Sequence, residues 1–198
     1  MHHALSKLPQ GWFHHGEKIL ALVEEHRPMV TVELGTWRGA SAIALARTVQ
    51  PWGGLVYCVD TFTGGVNGGR VPHVPKMLGE TANNISIAGV ANRVRLIVTT
   101  TTDAAAAWQG PIDFLYVDAD HTYDAVMADL CAWWPHVRPG GLVAGDDYDN
   151  PMYPGVAQAW DLFGENTGQP FERFSTPATN PPGMRLIYGF KAEDGSQP

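Results

Sequence analysis

Five short apolar runs alternate along the chain with longer segments of helical character. The runs are Met29–Leu34, Leu55–Val59, Val94–Val98, Ile112–Val117 and Leu142–Ala144. Short apolar runs bounded by glycine, proline or polar residues are typical of buried strands, and strands that alternate with helices form parallel sheets. The pattern therefore predicts five strands of a parallel sheet.

Apolar residues at helical spacing, with glycine or proline at the ends of each segment, mark the helices. An amphipathic N-terminal helix is predicted from Gly11 to His26, closed by Pro28. Further helices are predicted at Gly39–Gln50, Pro75–Ala88, Tyr123–Trp134 and Gly155–Phe163. Two late apolar runs, Phe171–Phe174 and Met184–Phe190, are separated by a Pro- and Gly-rich connector and predict an antiparallel hairpin.

Length and composition favour a single folded domain spanning residues 1–198. Apolar residues make up 44% of the 198 positions and charged residues 17%, which excludes disorder for most of the chain. Residues 1–28 are expected to form a helical extension and residues 192–198 a disordered tail. The Gly-rich segment Thr61–Pro75 is expected to be a mobile lid.

The charge balance limits the choice of partner. Thirteen Lys and Arg against twenty Asp and Glu give a net charge of −7 without any basic run, so we expect no nucleic acid partner. Cys58 and Cys131 lie far apart in apolar runs, which is typical of reduced core thiols, and no apolar stretch reaches the ~18 residues of a membrane span. We expect a soluble cytoplasmic protein without a membrane partner. A homodimer is the default expectation for its oligomeric state, because homodimers are the most common oligomers of soluble proteins.

Two pairs of adjacent histidines, His2–His3 and His14–His15, could suggest a metal site. Adjacent side chains on a helix or strand point apart, so they cannot both face one ion. We therefore expect these histidines to be solvated.

The residues that leave the predicted strands carry the candidate chemistry, because ligands of parallel sheets bind outside the carboxyl ends of the strands. Strand one leads into Glu33-Leu34-Gly35-Thr36-Trp37-Arg38-Gly39-Ala40-Ser41. A dinucleotide fingerprint would need glycine where Trp37 stands, and Glu33 would repel a diphosphate but attract a positive group. The turn therefore favours a cationic nucleoside as its ligand.

Strand two ends at Asp60, about 20 residues beyond the glycine turn, where a carboxylate can accept both hydroxyls of a ribose. A plain turn or cap role is the alternative, because aspartate is favoured at such positions whatever the function. The sequence predicts Asp60 as a candidate clamp for a nucleoside.

Strands four and five end in a group of carboxylates, Asp118, Asp120, Asp146 and Asp147. Like charges that converge on one crevice are costly unless a cation neutralises them. Oxygen ligands of this kind suit Mg²⁺, Ca²⁺ or Mn²⁺ rather than zinc. The strand ends therefore indicate a site for a hard divalent cation.

The order Glu-x-Gly-x-x-x-Gly-x-Ser, followed by Val-Asp at the second strand, resembles class I S-adenosylmethionine-dependent methyltransferases. The resemblance covers about residues 29–190 and implies an α/β fold. Its sheet would be doubly wound, Rossmann-like and seven-stranded, mostly parallel with an antiparallel C-terminal strand. The implied cofactor contacts are Glu33 at the amino group, Gly35 and Gly39 beside the methionyl part, Asp60 at the ribose, and Thr36 and Ser41 as further contacts.

The same resemblance implies that adenine is held at the exit of strand three, within the run from Thr99 to Asp103. Thr101 is the first candidate in that run, and the residue that holds adenine stays open. The alternative is that the threonines only finish the strand and cap the next helix.

The acidic strand ends resemble those of small metal-dependent O-methyltransferases of the catechol, macrolide-sugar and cephalosporin-hydroxylase-like types. The resemblance implies Asp118, Asp146 and Asp147 as ligands of a divalent cation, with Mg²⁺ the first candidate and Asp118 also touching the cofactor. Asp147 departs from the catechol type, which has Asn there, and this changes the charge of the site.

His121 follows Asp118 by three residues, where catechol-type enzymes have a lysine and sugar-type relatives a histidine. Its ordinary pKa near 6.5 suits a general base. The alternative is an exposed His121 in the first turn of a helix that Asp120 caps.

The sequence thus predicts a divalent-metal-dependent methyl transfer from S-adenosylmethionine to a hydroxyl of a small molecule, with Asp118 and His121 as catalytic residues. A metal-independent small-molecule methyltransferase and a non-catalytic cofactor-binding domain of the same fold are the alternatives. The acceptor itself is not identified by the sequence.

Overall fold

A computed structural model of the chain describes residues 7–9, 13–64, 74–176 and 184–192. Its strands are β1 (Val30–Leu34), β2 (Leu55–Asp60), β3 (Val94–Val98), β4 (Ile112–Val117), β5 (Val137–Tyr148), β6 (Glu172–Phe174) and β7 (Arg185–Phe190). Its helices are α1 (Gly16–His26), α2 (Ala40–Val49), α3 (Val74–Ile87), α4 (Thr101–Ala107), α5 (Tyr123–Trp133) and α6 (Pro154–Thr167).

The seven strands form one sheet in the order β3-β2-β1-β4-β5-β7-β6. Strands β1 to β5 pair in parallel, whereas β7 runs antiparallel to both of its neighbours, β5 and β6. The structure confirms the predicted seven-stranded sheet with an antiparallel C-terminal strand. It also confirms that the two late apolar runs pair with each other.

Alternate residues of the strands enter two hydrophobic cores on opposite faces of the sheet. On β4, Phe114 and Tyr116 pack with residues of α1 and α2, whereas Leu115 and Val117 pack with residues of α5 and α6. Strands covered by helices on both faces are buried on both faces, which explains why they occur as continuous apolar runs in the sequence.

Strand β5 is longer than predicted, because it begins at Val137 and ends at Tyr148. The sequence Pro139-Gly140-Gly141 looks like a break, but an irregularity in the pairing absorbs it. Ile112 pairs with Val137, and the next pair joins Phe114 to Leu142. The main chain of the two glycines bonds instead to Lys191, at 2.8 and 2.9 Å.

Three helices also differ from the prediction, and α6 ends at Thr167 rather than Phe163. Helix α1 begins at Gly16 rather than Gly11, and the Gly16 amide closes a turn by donating to the Phe13 carbonyl at 3.2 Å. Helix α4 was not predicted; the hydroxyl of Thr100 caps it by accepting a hydrogen bond from the Asp103 amide at 3.1 Å.

Parts of three predictions fall on residues outside the described ranges. These are residues 1–6 and 10–12 of the N-terminal extension, which include His2, His3 and Gly11, residues 65–73 of the expected lid, and residues 193–198 of the expected tail. Within the described part of the chain, no helix combines the length and the apolar character needed to cross a membrane.

Candidate active site

Four strand exits share one edge of the sheet, beside the point where the strand order reverses. Strand β1 lies between β2 and β4, and β5 lies on the far side of β4. Because these strands are parallel, their carboxyl ends meet at the same edge, which is where open α/β sheets bind ligands. The carboxylates at this edge are Glu33, Asp60, Asp118, Asp146 and Asp147.

The turn after β1 passes so close to the end of β4 that only glycine fits at its first position. Gly35 has a φ of +85°, and a Cβ atom there would lie 2.0 Å from the carbonyl oxygen of Asp118. The Gly35 amide donates to the Val59 carbonyl, and the Asp118 amide donates to the Leu34 carbonyl, both at 2.9 Å. The turn therefore joins the ends of β1, β2 and β4.

Asp60 holds this turn in place through its carboxylate. One oxygen accepts the amides of Thr36 and Trp37, each at 2.8 Å, and the other accepts the amide of Phe62 at 2.7 Å. The structure thus gives Asp60 the turn role that was the alternative. A carboxylate oxygen can accept more than one hydrogen bond, so its predicted contact with a ribose stays a prediction.

Glu33 is fully buried, in register with Cys58 on β2 and Tyr116 on β4. Among the described residues, neither of its oxygens has a hydrogen-bond partner of normal geometry, although Ser41, Cys58 and Thr36 lie close enough to favour its charge. Burial outweighs these neighbours and raises the pKa of Glu33 to about 7. A buried carboxylate in this condition suits a ligand that donates hydrogen bonds.

The remaining predicted contacts lie between the turn and the start of α2. Gly39 precedes the helix with a φ of +84°, and its amide donates to the Thr36 carbonyl at 2.8 Å. Ser41 is buried in the first turn of α2, beside Glu33. The structure therefore gathers one set of predicted residues around a single turn: Glu33, Gly35, Thr36, Gly39, Ser41 and Asp60.

Thr101 makes contacts within the protein that the sequence did not predict. Its hydroxyl donates to Asp129 on α5, and its carbonyl accepts the Trp133 indole at 3.0 Å. Burial raises the pKa of Asp129 to about 6. The threonine run thus caps α4 and joins it to α5, as the alternative had it, and the contact of Thr101 with adenine stays a prediction.

Asp118, His121 and Asp147 form a cluster in which one ligand atom from each lies within 4.8 Å of the others. The Nε2 atom of His121 lies 3.0 Å from an oxygen of Asp147 and 3.5 Å from an oxygen of Asp118. Asp147 sits in a second irregularity of β5, between the pairs Gly145–Ile187 and Tyr148–Arg185, with a φ of +58°. Irregularities of this kind re-aim side chains beside active sites.

The two carboxylates make His121 a cation in this arrangement. Burial would lower its pKa, but the hydrogen bonds and charges of Asp118 and Asp147 raise it to about 10. Burial would raise the pKa of Asp147, but the hydrogen bond and charge of His121 lower it. Burial and the neighbouring carboxylates raise the pKa of Asp118. The ordinary histidine pKa on which the general-base prediction relied does not apply here.

Asp146, the third predicted metal ligand, makes its contacts elsewhere. One oxygen lies 2.9 Å from Nδ1 of His15, and the other accepts the Tyr116 hydroxyl at 3.3 Å. His15 has only 1% of its surface exposed, so the expectation of a solvated His14–His15 pair is wrong for His15. The structure therefore brings Asp118 and Asp147 together with His121 rather than with Asp146.

Three residues beside the cluster were missed in the sequence. The ring of Tyr153 stacks on His121, with centroids 4.5 Å apart, and Asn150 donates to Asp147. Both follow Asp147 within six positions, a signal that could have found them. The third missed residue, His15, had no local signal.

Asp120 accepts the Thr122 amide at 2.8 Å, so it forms a turn before α5, while Thr122 itself caps that helix.

A family model described as a methyltransferase domain matches residues 32–148, which include every residue of this edge from β1 to β5. The chain belongs to this methyltransferase family. The resemblance predicted from the sequence motifs is thereby confirmed at the level of the family.

Two curated relatives are similar to this chain. The chain is 29% identical over 151 residues to a caffeoyl-CoA O-methyltransferase of Stellaria longipes, covering 71% of this chain and 54% of that protein. It is 31% identical over 157 residues to y4gI, an uncharacterized protein of Sinorhizobium fredii, covering 75% of this chain and 16% of that protein. The chain thus spans about half of one relative and about a sixth of the other.

The O-methyltransferase from Bacillus cereus, solved in complex with SAH, superposes with a TM-score of 0.72 at 20% identity. The match covers 95% of this chain and 86% of that one. At this identity the likeness shows a shared fold, and it confirms the predicted architecture.

Proposed function

We propose that this methyltransferase transfers the methyl group of S-adenosylmethionine to a hydroxyl of a small molecule, with a divalent cation at the acceptor. The single observation that carries the proposal is the buried carboxylate of Glu33, which has no hydrogen-bond partner of normal geometry among the described residues and lies beside a turn that only glycine permits. An ammonium group with three donors would satisfy such a carboxylate.

The residues of the β1 turn fit the cofactor. Glu33 would receive the amino group, and the backbone of the turn at Gly35 and Gly39 would flank the methionyl part. Asp60 would receive a ribose hydroxyl with the one oxygen lone pair that its three backbone amides leave free. S-adenosylmethionine would supply a methyl group on a positively charged sulfur, close to this acidic edge of the sheet.

Asp118 and Asp147 fit a divalent cation, because two carboxylates converge there on the single imidazole of His121. A bound cation of the Mg²⁺ class would supply positive charge that lowers the pKa of an acceptor hydroxyl. With Asp118 and Asp147 compensated, His121 would lose the partners that raise its pKa, and its Nε2 atom could accept the hydroxyl proton. Tyr153 would keep the imidazole in orientation by stacking on it.

One observation favours a second candidate, a metal-independent methyltransferase. In the structure the Nε2 atom of His121 already lies 3.5 Å from Asp118 and 3.0 Å from Asp147, which raise its pKa to about 10. This arrangement neutralises the carboxylates without an ion, and an acceptor hydroxyl or amine could then bind to the carboxylates directly.

Chelation separates the two candidates. The protein, stripped of metal, is incubated with methyl-labelled S-adenosylmethionine and a panel of catechols, phenols and sugars. Metal-dependent transfer should fall by about a hundredfold or more and return on addition of Mg²⁺. Transfer that continues at full rate after chelation would establish the metal-independent candidate, and no transfer to any acceptor under either condition would favour a non-catalytic cofactor-binding domain.

A further inference from the structure

The N-terminal segment before α1 lies against residues that border the cluster of Asp118, His121 and Asp147. The ring of Phe13 meets the edge of Tyr116, with centroids 6.2 Å apart. The charge of His14 contributes to lowering the pKa of Asp147, after the larger effects of burial, His121 and Asn150. His15 is buried and lies 2.9 Å from Asp146 through Nδ1. These contacts link positions more than 100 residues apart in the sequence.

Asp146 connects this segment to the backbone of the cluster. The same oxygen that meets Nδ1 of His15 accepts the Asp147 amide at 3.0 Å. The other oxygen accepts the Tyr116 hydroxyl. Since a carboxylate oxygen is an acceptor, Nδ1 of His15 carries the hydrogen of this bond. Asp146 is thus held from β4, from the N-terminal segment and from its own neighbour.

Asp147 needs this support because of its backbone. Its φ of +58° is a left-handed conformation that residues other than glycine seldom adopt, and it persists only where the surroundings impose it. The conformation directs the Asp147 carboxylate to His121, 3.0 Å away. A change at Asp146 would therefore reach the cluster through the Asp147 amide.

We propose that His15 is a positioning residue of the active site, which fixes Asp146 and thereby holds Asp147 in the conformation that presents its carboxylate to His121 and Asp118. In this account Asp146 supports the cluster instead of ligating a cation, and the N-terminal segment belongs to the site. The inference rests on the proposed function, in which Asp147 helps to hold the cation.

The test compares variants that keep or lose the donor at Nδ1. In His15→Asn the amide nitrogen takes the place of Nδ1, whereas in His15→Gln it takes the place of Nε2, and His15→Leu has no donor. His26→Leu is the matched control, because it removes a histidine ring from the C-terminal end of α1, the helix that follows His15, where it contacts Phe190. Melting temperatures establish that each variant folds, and the comparison of Asn with Gln remains decisive if the Leu variant does not.

Two readouts are followed, and the first is independent of activity. Hydrogen exchange of the Asp147 amide, measured by NMR, should become about tenfold faster or more in the Leu and Gln variants and return to within about threefold of wild type in the Asn variant. The dissociation constant of Mn²⁺, measured by electron paramagnetic resonance, should increase by about tenfold or more in the Leu and Gln variants. The Thr36 amide, bound to Asp60, should exchange at the wild-type rate throughout.

Equal exchange of the Asp147 amide in wild type and the Gln variant would overturn the inference. So would equal acceleration in the Asn and Gln variants, or acceleration at Thr36 as well, because each would show a structural role of His15 without positioning of Asp147. If wild type binds no Mn²⁺, the metal part of the proposed function fails, while the exchange of the Asp147 amide still decides the role of His15.

Discussion

Glu33 combines full burial with a carboxylate that no described residue satisfies, and this gives the molecule a pH dependence of known sign. Burial raises its pKa from 4.5 to about 7. Between these values the unfolded chain loses the proton while the folded protein keeps it, so the free energy of unfolding falls as pH rises. The loss attributable to Glu33 is on the order of 3 kcal/mol by pH 8 and is absent below pH 4.

We expect Glu33→Gln to abolish the part of the pH dependence of the free energy of unfolding that comes from Glu33. Denaturant unfolding of the ligand-free protein from pH 4 to 8 measures it as the difference between wild type and variant. Glu165→Gln, at an exposed glutamate of α6, is the control and should leave the pH profile unchanged. A wild-type profile parallel to that of Glu33→Gln would show that Glu33 is ionised in the folded protein throughout.

The same carboxylate predicts how cofactor binding depends on pH. The ammonium group of S-adenosylmethionine favours ionised Glu33, so the affinity should increase as pH rises towards 7 and then level off. For each pH unit below 7, the dissociation constant of the cofactor should increase by up to about tenfold. Titration calorimetry should find weak, pH-independent binding for Glu33→Gln; wild-type affinity in that variant would remove Glu33 from the cofactor site.

Asp60 has two roles that one substitution can separate. Asp60→Ala removes the acceptor of three backbone amides and should lower the free energy of unfolding by about 2–4 kcal/mol as well as weaken cofactor binding. Asp60→Asn keeps one acceptor oxygen, so it should retain most of the stability yet bind S-adenosylmethionine more than about tenfold less tightly. Wild-type affinity in the Asn variant would leave Asp60 as a turn residue alone.

At single residues, the sequence predicted the strand exits better than the directions of the side chains there. Glu33, Asp60 and Asp118 lie where the alternation of apolar runs and glycine turns predicts them. The directions of Asp146 and Asp147 could not be predicted, because they depend on an irregularity in β5. The partner of Asp146, His15, lies 131 positions away and leaves no local pattern.

Among the structural elements, the turn between β1 and α2 contains Gly35, which leaves no room for a Cβ atom. A Cβ atom at position 35 would lie 2.0 Å from the Asp118 carbonyl and would also oppose a φ of +85°. We expect Gly35→Ala to lower the free energy of unfolding by about 2–4 kcal/mol and to abolish cofactor binding.

Gly79 provides the matched control for this turn. It lies on the exposed side of α3, where an added Cβ atom would meet no other atom within 4 Å, so Gly79→Ala should raise the free energy of unfolding by about 0.5–1 kcal/mol. Chemical denaturation of both variants provides the comparison. A Gly35→Ala protein as stable as wild type would contradict the close approach of β1 and β4.

The local sequence pattern predicts that a strand is present more reliably than it predicts the residues at which the strand begins and ends. Five strands were found because each occurs as a short apolar run, whereas β5 extends through Pro139-Gly140-Gly141 by means of an irregular pairing that no local rule indicates. Helix α4 was missed because its seven residues, mostly alanine and threonine, have little apolar periodicity. Tertiary packing against α5 stabilises it instead.

Over the whole molecule, the order of strands places five of the twenty acidic residues on one edge of the sheet. The net charge of −7 is therefore in part a property of the site. The alternation of strands and helices was sufficient to predict a parallel sheet, because crossover connections are strongly constrained. It could not predict which substrate the edge accepts, because acceptor contacts come from several elements brought together only by folding.

The most direct test of the account is the fate of the methyl group. The protein is incubated with Mg²⁺, catechol as the acceptor probe, and S-adenosylmethionine labelled with ¹³C in its methyl group, and the products are followed by mass spectrometry. The account predicts a labelled methyl ether of catechol and an equal amount of S-adenosylhomocysteine, both lost in Asp147→Ala, a variant without a ligand oxygen at this position that should still bind the cofactor. Bound S-adenosylmethionine that remains intact, with no labelled ether of catechol or of any other hydroxylated acceptor, would contradict it.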